Sequence, residues 1–219
     1  MRKALMLLGI FVVGTAFAMT IAKVKVECPI DAEEFEFYAQ GSGTTFGYML
    51  DERPYGPIKA PWPLAKCPKD GMVLYKKFSA QEIAVLKPFV KSKKYQSLQK
   101  SETDYWLAYL LAKRLSAPMT EQIFLMQQAT WEAMGERYEK YARATIQAID
   151  SLRKPSVDLK LLKGELHRRI REFGKASQVF LALKSELKNS ADVDPIYHQI
   201  VSQQLKLIEE KDSSPQPVR

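Results

Sequence analysis

A change of hydrophobic period at Ser79 constrains this chain more than any other feature. From that serine onward apolar residues recur at three- and four-residue spacing, the pattern of helices buried on one face. Ser79-Ala80-Gln81-Glu82 has the form of a capping box, with Ser79 as N-cap and Glu82 three residues on, and opens a helix that Pro88 kinks or ends. Thr103 to Leu115 is the next amphipathic run. After Pro118, Thr120 to Met134 is another; Gly135 punctuates it, and Glu136 to Leu152 continues to the break at Pro155. Ahead of Ser79 the period is two. Lys23-Val24-Lys25-Val26-Glu27, Glu34-Phe35-Glu36-Phe37-Tyr38 and Met72-Val73-Leu74-Tyr75 read as short strands of a small antiparallel sheet. The expected fold class is α+β, mostly α: a β head over 19–78 followed by antiparallel helix hairpins over 79–208. The tail 209–219, with Pro215 and Pro217 among serines, is expected to be disordered.

The N-terminus supplies an address. Arg2 and Lys3 precede the apolar run Ala4 to Ala18, which ends in Ala16-Phe17-Ala18, the three regions of a secretory signal peptide. Cleavage is expected after Ala18. The alternative is an uncleaved anchor, because apolar residues continue from Met19 to Ala22 and about 19 of them suffice to span a bilayer. Either way the folded part is expected outside the cytoplasm, in a periplasm or cell envelope. The net charge is +8. Apart from Lys91 to Lys94 the basic residues are interleaved with acids, so no nucleic-acid partner is expected, and a membrane surface only if the N-terminal segment is retained.

Both cysteines lie in matching tetrapeptides, Cys28-Pro29-Ile30-Asp31 and Cys67-Pro68-Lys69-Asp70, the second followed by Gly71. Each resembles a C-P-x-C zinc knuckle with Asp in place of its second Cys. Two thiolates and two carboxylates are a poor zinc set in an oxidising compartment. If the knuckles still face each other, the simplest reading is a Cys28–Cys67 disulfide. Free thiols remain an alternative, as does a zinc or redox site on Cys28, Asp31, Cys67 and Asp70. Between the knuckles, Gly41 to Pro63 holds four Gly and four Pro and reads as an ordered loop. Its aromatics Tyr48, Tyr55 and Trp62 suit either a ligand platform or packing on the head.

The stretch from Val157 to Leu187 carries the clearest repeat signal. Gly164, Ala176 and Phe180 fall twelve and then four residues apart, with Phe173 at the turn, and the spacing resembles a tetratricopeptide helix hairpin. Gly164 would let one helix approach its partner, Ala176 would be the small residue at the crossing, and Phe180 would fill the next groove. Arg171 stands where a glycine is usual. Tyr105-Trp106-Leu107-Ala108 opens a looser candidate repeat. Taken in order, two C-P-x-C-like knuckles, a proline-rich insertion and helices carrying Gly164-Glu165-Leu166-His167-Arg168-Arg169 resemble an uncharacterised bacterial family that couples a zinc-ribbon-like head to tetratricopeptide-like helices. The resemblance implies a fold and no activity. The chain departs from that family at Asp31 and Asp70.

No catalytic motif accompanies this architecture. His167 and His198 are the only histidines, and neither sits in a nucleophile, metal or phosphate signature. Glu165, Arg168 and Arg169 share a helix face at ion-pair spacing. The expected function is therefore a non-enzymatic protein-interaction or scaffold module without cofactor, binding a protein or peptide partner. Its candidate aromatic anchors are Trp106, Tyr109, Trp131, Tyr138 and Tyr141.

Overall fold

The computed structural model describes residues 19–188 and 194–219. The proposed signal segment, 1–18, lies outside the described residues. The head begins with β1 (Thr20–Glu27) and β2 (Glu34–Ser42), antiparallel with Val24 opposite Phe37 and Val26 opposite Phe35. A second hairpin, β3 (Gly47–Tyr48) and β4 (Pro54–Tyr55), interrupts the stretch read as a loop without regular elements. Then β5 (Ala65–Lys66) pairs with β6 (Val73–Leu74).

The two knuckles are conformational twins. In the first, the Cys28 N–H donates to Glu33 O at 2.9 Å and the Ala32 N–H to Cys28 O at 2.8 Å. In the second, the Cys67 N–H donates to Met72 O at 2.9 Å and the Gly71 N–H to Cys67 O at 3.0 Å. Both turns need one residue at positive φ, Ala32 at 56° and Gly71 at 69°. Ala32 is exposed, whereas a Cβ at position 71 would lie 1.8 Å from Gln99 Oε1, so a side chain in the second turn would also have to displace the end of Gln99. Cys28 and Cys67 form the expected disulfide and join the two hairpin tips across 39 residues of sequence. Closing a loop of that length is worth about 3 to 4 kcal/mol in loop-closure entropy.

Eight helices follow among the described residues: α1 (Ala80–Val90), α2 (Lys93–Ser101), α3 (Asp104–Arg114), α4 (Met119–Glu132), α5 (Glu136–Asp150), α6 (Val157–Arg169), α7 (Phe173–Lys188) and α8 (Pro195–Glu209). Serine and threonine caps fix several starts. Ser79 and Glu82 complete the capping box of α1, while Thr103 and Ser156 accept the Trp106 and Leu159 N–H groups. Pro88 sits inside α1, two residues from its end. From α3 onward each helix packs on the next, and α8 also returns to α6.

The core does not divide at residue 78. Cys28, Cys67, Met72 and Val73 from the head share one buried cluster with Leu86, Tyr95, Leu107, Tyr141 and Ile149 from the helices. Hydrogen bonds reinforce the joint: the Tyr95 hydroxyl donates to Gly71 O at 3.0 Å, and the Tyr105 hydroxyl to Trp62 O at 3.0 Å. A second cluster holds Leu161, Ala176, Phe180, Leu183, Leu187 and Val201 from α6, α7 and α8. In it Gly164 faces the Phe180 ring so closely that a Cβ would lie 2.4 Å from Cζ. Ala176 and Phe180 are both fully buried, Phe173 opens α7, and Arg171 holds the turn before it at φ 63°.

The tail corrects an expectation. Residues 209–219 are not disordered. The fully buried Arg168 guanidinium donates to Asp212 O at 2.6 Å and Ser214 O at 3.0 Å. Beyond that anchor the chain runs antiparallel to β3: the Leu50 N–H donates to Gln216 O and the Val218 N–H to Tyr48 O, at 2.8 and 2.9 Å. The Gln203 side-chain amide donates to Pro217 O at 2.7 Å on the other side. A segment too polar to collapse by itself is ordered because a buried cation needs its carbonyls.

Gly164→Ala tests the close approach. The clash should outweigh the gain of about 1 kcal/mol in helix propensity and lower stability by about 1 kcal/mol net. In a Phe180→Leu background the same change should be neutral or stabilising in chemical denaturation; a loss of equal size in both backgrounds would sink this account. Arg168→Met should cost about 3 to 5 kcal/mol, since it leaves a buried carboxylate unpaired. Arg168→Met with Glu165→Leu should cost far less. Both variants should accelerate amide exchange at Leu50 and Val218, and protection retained at those amides would refute the anchoring role.

Candidate functional site

The knuckles were one candidate site. In each, the aspartate accepts the backbone N–H two residues on, Glu33 to Asp31 Oδ1 at 3.2 Å and Met72 to Asp70 Oδ1 at 2.9 Å. These side chains therefore close Asx turns where a knuckle cysteine would stand. The sulfurs are spent on each other, and both cysteines are buried. A disulfide with two turn-closing carboxylates does not fit zinc, and among the described residues no group of three or more His, Cys, Asp or Glu is placed to hold a metal.

The aromatic candidates separate into three groups. Trp106, Tyr109 and Tyr141 are core residues, at most 8% exposed, so they are not partner anchors. Trp106 stacks on Tyr141 at 4.1 Å between α3 and α5, and Tyr109 packs 4.8 Å away. The Tyr141 hydroxyl donates to Glu102 Oε2 at 2.7 Å, and burial pushes its pKa up to about 12. Tyr138 faces another way, into a cavity of ≈ 450 Å³ beside Met134 and Arg169. The Arg169 guanidinium lies 4.9 Å from its ring centroid. Of the five, only Trp131 reaches a second, wider opening.

That opening is a cleft of ≈ 810 Å³ assembled from five segments. The β3–β4 hairpin supplies Tyr48 and Tyr55, α4 supplies Phe124 and Trp131, α8 supplies Tyr197 and Ile200, and Leu161 of α6 and Val218 of the tail complete it. The hairpin tip is pinned on α4. The Gln127 amide donates to Asp51 O at 3.1 Å and Glu52 Oε2 at 2.8 Å, and the Trp131 indole donates to Asp51 O at 3.3 Å. Asp51 is itself buried, with Arg169 3.7 Å away. Glu52 completes the turn at φ 67°.

The walls are mostly aromatic and aliphatic, and Phe124 is 55% exposed within them. Two carboxylates break the surface. Asp158, in the first turn of α6, accepts the Tyr197 hydroxyl at 2.8 Å, a bond that holds the phenol above its ordinary pKa. Glu52 is exposed as a residue, yet its carboxyl is crowded by the pinned hairpin. Desolvation raises its pKa, and the charges of Asp158 and Asp51 push the same way. Among the described residues no Ser, Thr, Cys, Lys, Arg or His lines the cleft, so these side chains offer neither a nucleophile–base pair nor an oxyanion clamp.

Sequence reasoning found Trp131, Tyr48 and Tyr55 but missed Phe124, Tyr197, Ile200, Glu52 and Asp158. Trp62, the third loop aromatic, lies outside the cleft and is 46% exposed. The available signal was the surplus of large apolar residues on α4 and α8 over what one helix face buries. The histidines lie elsewhere: His198 is exposed, and buried His167 has Nδ1 2.7 Å from Glu172 Oε2. Burial lowers the His167 pKa.

The fold is α+β and mostly α, with a disulfide-clamped β head and an apolar cleft where head, helices and tail meet. No family model, no curated protein and no solved structure matches the chain.

Glu172 gives the acid limb of stability. The Arg143 hydrogen bond first, then those of His167 and Lys175, lower its pKa from 4.5 to about 2 in the folded state. A carboxyl with a depressed folded pKa contributes stability that is complete above about 4.5 and is lost as pH falls toward about 2. Glu172→Gln should therefore lower stability at neutral pH and flatten its decline through that window, as followed by denaturant midpoints at successive pH values. A variant curve parallel to the parent would contradict this assignment.

Proposed function

We propose that this chain is an exported, non-enzymatic interaction module of the bacterial periplasm or cell envelope, and that its cleft holds an apolar segment of a partner protein. The observation that carries the reading is the cleft itself: ≈ 810 Å³, walled by aromatic and aliphatic side chains, and without a catalytic pair. Solvent-exposed apolar surface of this kind is costly to keep unless something covers it. Export rests on the Arg2-Lys3 and Ala4 to Ala18 pattern, and the Cys28–Cys67 disulfide is compatible with an oxidising compartment. No helix among the described residues is long and apolar enough to cross a membrane.

Selection of displayed random twelve-residue peptides on the oxidised mature chain tests the reading. Recurrent apolar sequences should emerge, and Phe124→Asp, a change at an exposed position, should weaken them at least tenfold while leaving the thermal midpoint within a few degrees. Absence of recurrent sequences, or binders indifferent to Phe124→Asp, would overturn it.

A further inference from the structure

The charge pattern of the cleft runs against that of the chain. The protein carries 33 Lys and Arg against 25 Asp and Glu. Yet among the described residues the cleft is lined by Glu52 and Asp158 and by no basic residue.

The aromatic rings show the same contrast. Several rings elsewhere carry one of the protein's own cations: Lys140 stands 5.3 Å from the Trp106 centroid, Lys113 5.7 Å from Tyr109, Lys76 5.9 Å from Tyr75 and Arg169 4.9 Å from Tyr138. Among the described residues no cation lies over Tyr48, Tyr55, Trp131 or Tyr197, the rings that wall the cleft. Rings of this type attract ammonium and guanidinium groups through their negative faces, most strongly where water is partly excluded. The two carboxylates are also uncompensated by any cation in the lining, and each is fixed by a hydrogen bond, Glu52 from Gln127 and Asp158 from Tyr197.

We propose that the cleft selects an apolar cation, an ammonium or guanidinium carried on an aliphatic or aromatic body, with the body against Phe124, Leu161 and Ile200 and the charge between Glu52, Asp158 and the tyrosine rings. This rests on the reading of the cleft as the binding site and names the chemistry it accepts. A Lys or Arg side chain within an apolar peptide satisfies it, and so does a free amine. An anionic headgroup does not, since it would meet two carboxylates and no counter-charge.

The oxidised mature chain is titrated by nuclear magnetic resonance with 3-phenylpropylammonium, 3-phenylpropanol and 3-phenylpropionate, reading the Trp131 indole signal. It is then titrated with acetyl-Phe-Lys-Leu-amide and the counterparts in which Gln or Glu replaces Lys. The ammonium probe should bind at least tenfold more tightly than the alcohol, with the carboxylate weakest. Glu52→Gln with Asp158→Asn should abolish that preference while preserving alcohol binding, because the amides keep an oxygen for Gln127 and for Tyr197. A lysine peptide binding well above the free amine supports a protein segment as the source; the reverse order supports a small amine. Equal binding of all three charge types, or preference for the carboxylate, overturns the selectivity and leaves the cleft as an apolar peptide site. Failure of every probe and peptide to bind overturns both.

Discussion

The Arg168 guanidinium is the interaction on which the far half of this molecule depends. It is fully buried, and removing such a group from water is expensive unless every donor is used. Its Nε and Nη2 face Glu165 at 2.7 to 2.9 Å, Nε also meets Gln204 Oε1 at 2.9 Å, and Nη1 takes the carbonyls of Asp212 and Ser214. Gln204 closes the circuit by donating to Glu165 Oε2 at 2.8 Å. Burial raises the Glu165 carboxyl above its ordinary pKa, and Arg168 is the strongest pull in the other direction. One side chain on α6 thereby joins α8 and the C-terminal tail. The tail, once held, pairs with β3 and contributes Val218 to the cleft. A network of this kind contributes less net stability than apolar packing of equal volume would; its effect is to specify one arrangement of three segments.

The head depends on a different constraint. Three two-stranded ribbons cannot bury a core of their own. They are held by the Cys28–Cys67 bond and by insertion of the knuckle residues into the helical core, where Met72 and Val73 are completely buried. The Asx turns at Asp31 and Asp70 explain how the tetrapeptide keeps its shape without metal. A carboxylate accepting a local N–H rigidifies the turn from within, and the Sγ–Sγ bond supplies the tip-to-tip tie.

What was legible in the sequence was local chemistry. Ser79 with Glu82 announced a helix start because cap and N–H are neighbours in the chain, and the cysteine pair announced its bond because there was only one way to pair it. Gly164 and Phe180 were readable from spacing, since both lie on one helix hairpin. The order of the tail was not readable: its Ser and Pro composition is that of a disordered segment, and the cation that orders it lies over 40 residues away. Nor did the sequence separate Trp106 from Trp131, two tryptophans on amphipathic helices. Trp106 is buried against Tyr141, whereas Trp131 turns its indole N–H toward Asp51 O on a loop 80 residues distant. The α2 helix was missed because its nine residues, rich in Lys, Gln and Ser, carry only Tyr95 and Leu98 as apolar positions; Tyr95 alone is fully buried there.

The cleft is walled partly by the elements least able to stand alone. Two-residue strands and a ten-residue tail form one side, and they hold their places through buried Leu50 of the hairpin turn and through Gln127, Trp131 and Arg168. Such segments open at lower free energy than the helical core behind them. A ligand that bridged the β3–β4 hairpin, α4 and α8 would touch both sides, and would stabilise the hairpin and tail in proportion to its occupancy. The affinity for such a ligand and the order of residues 45–55 and 212–218 would then be one linked equilibrium, and the Arg168 network, though it does not line the cleft, would set where that equilibrium starts.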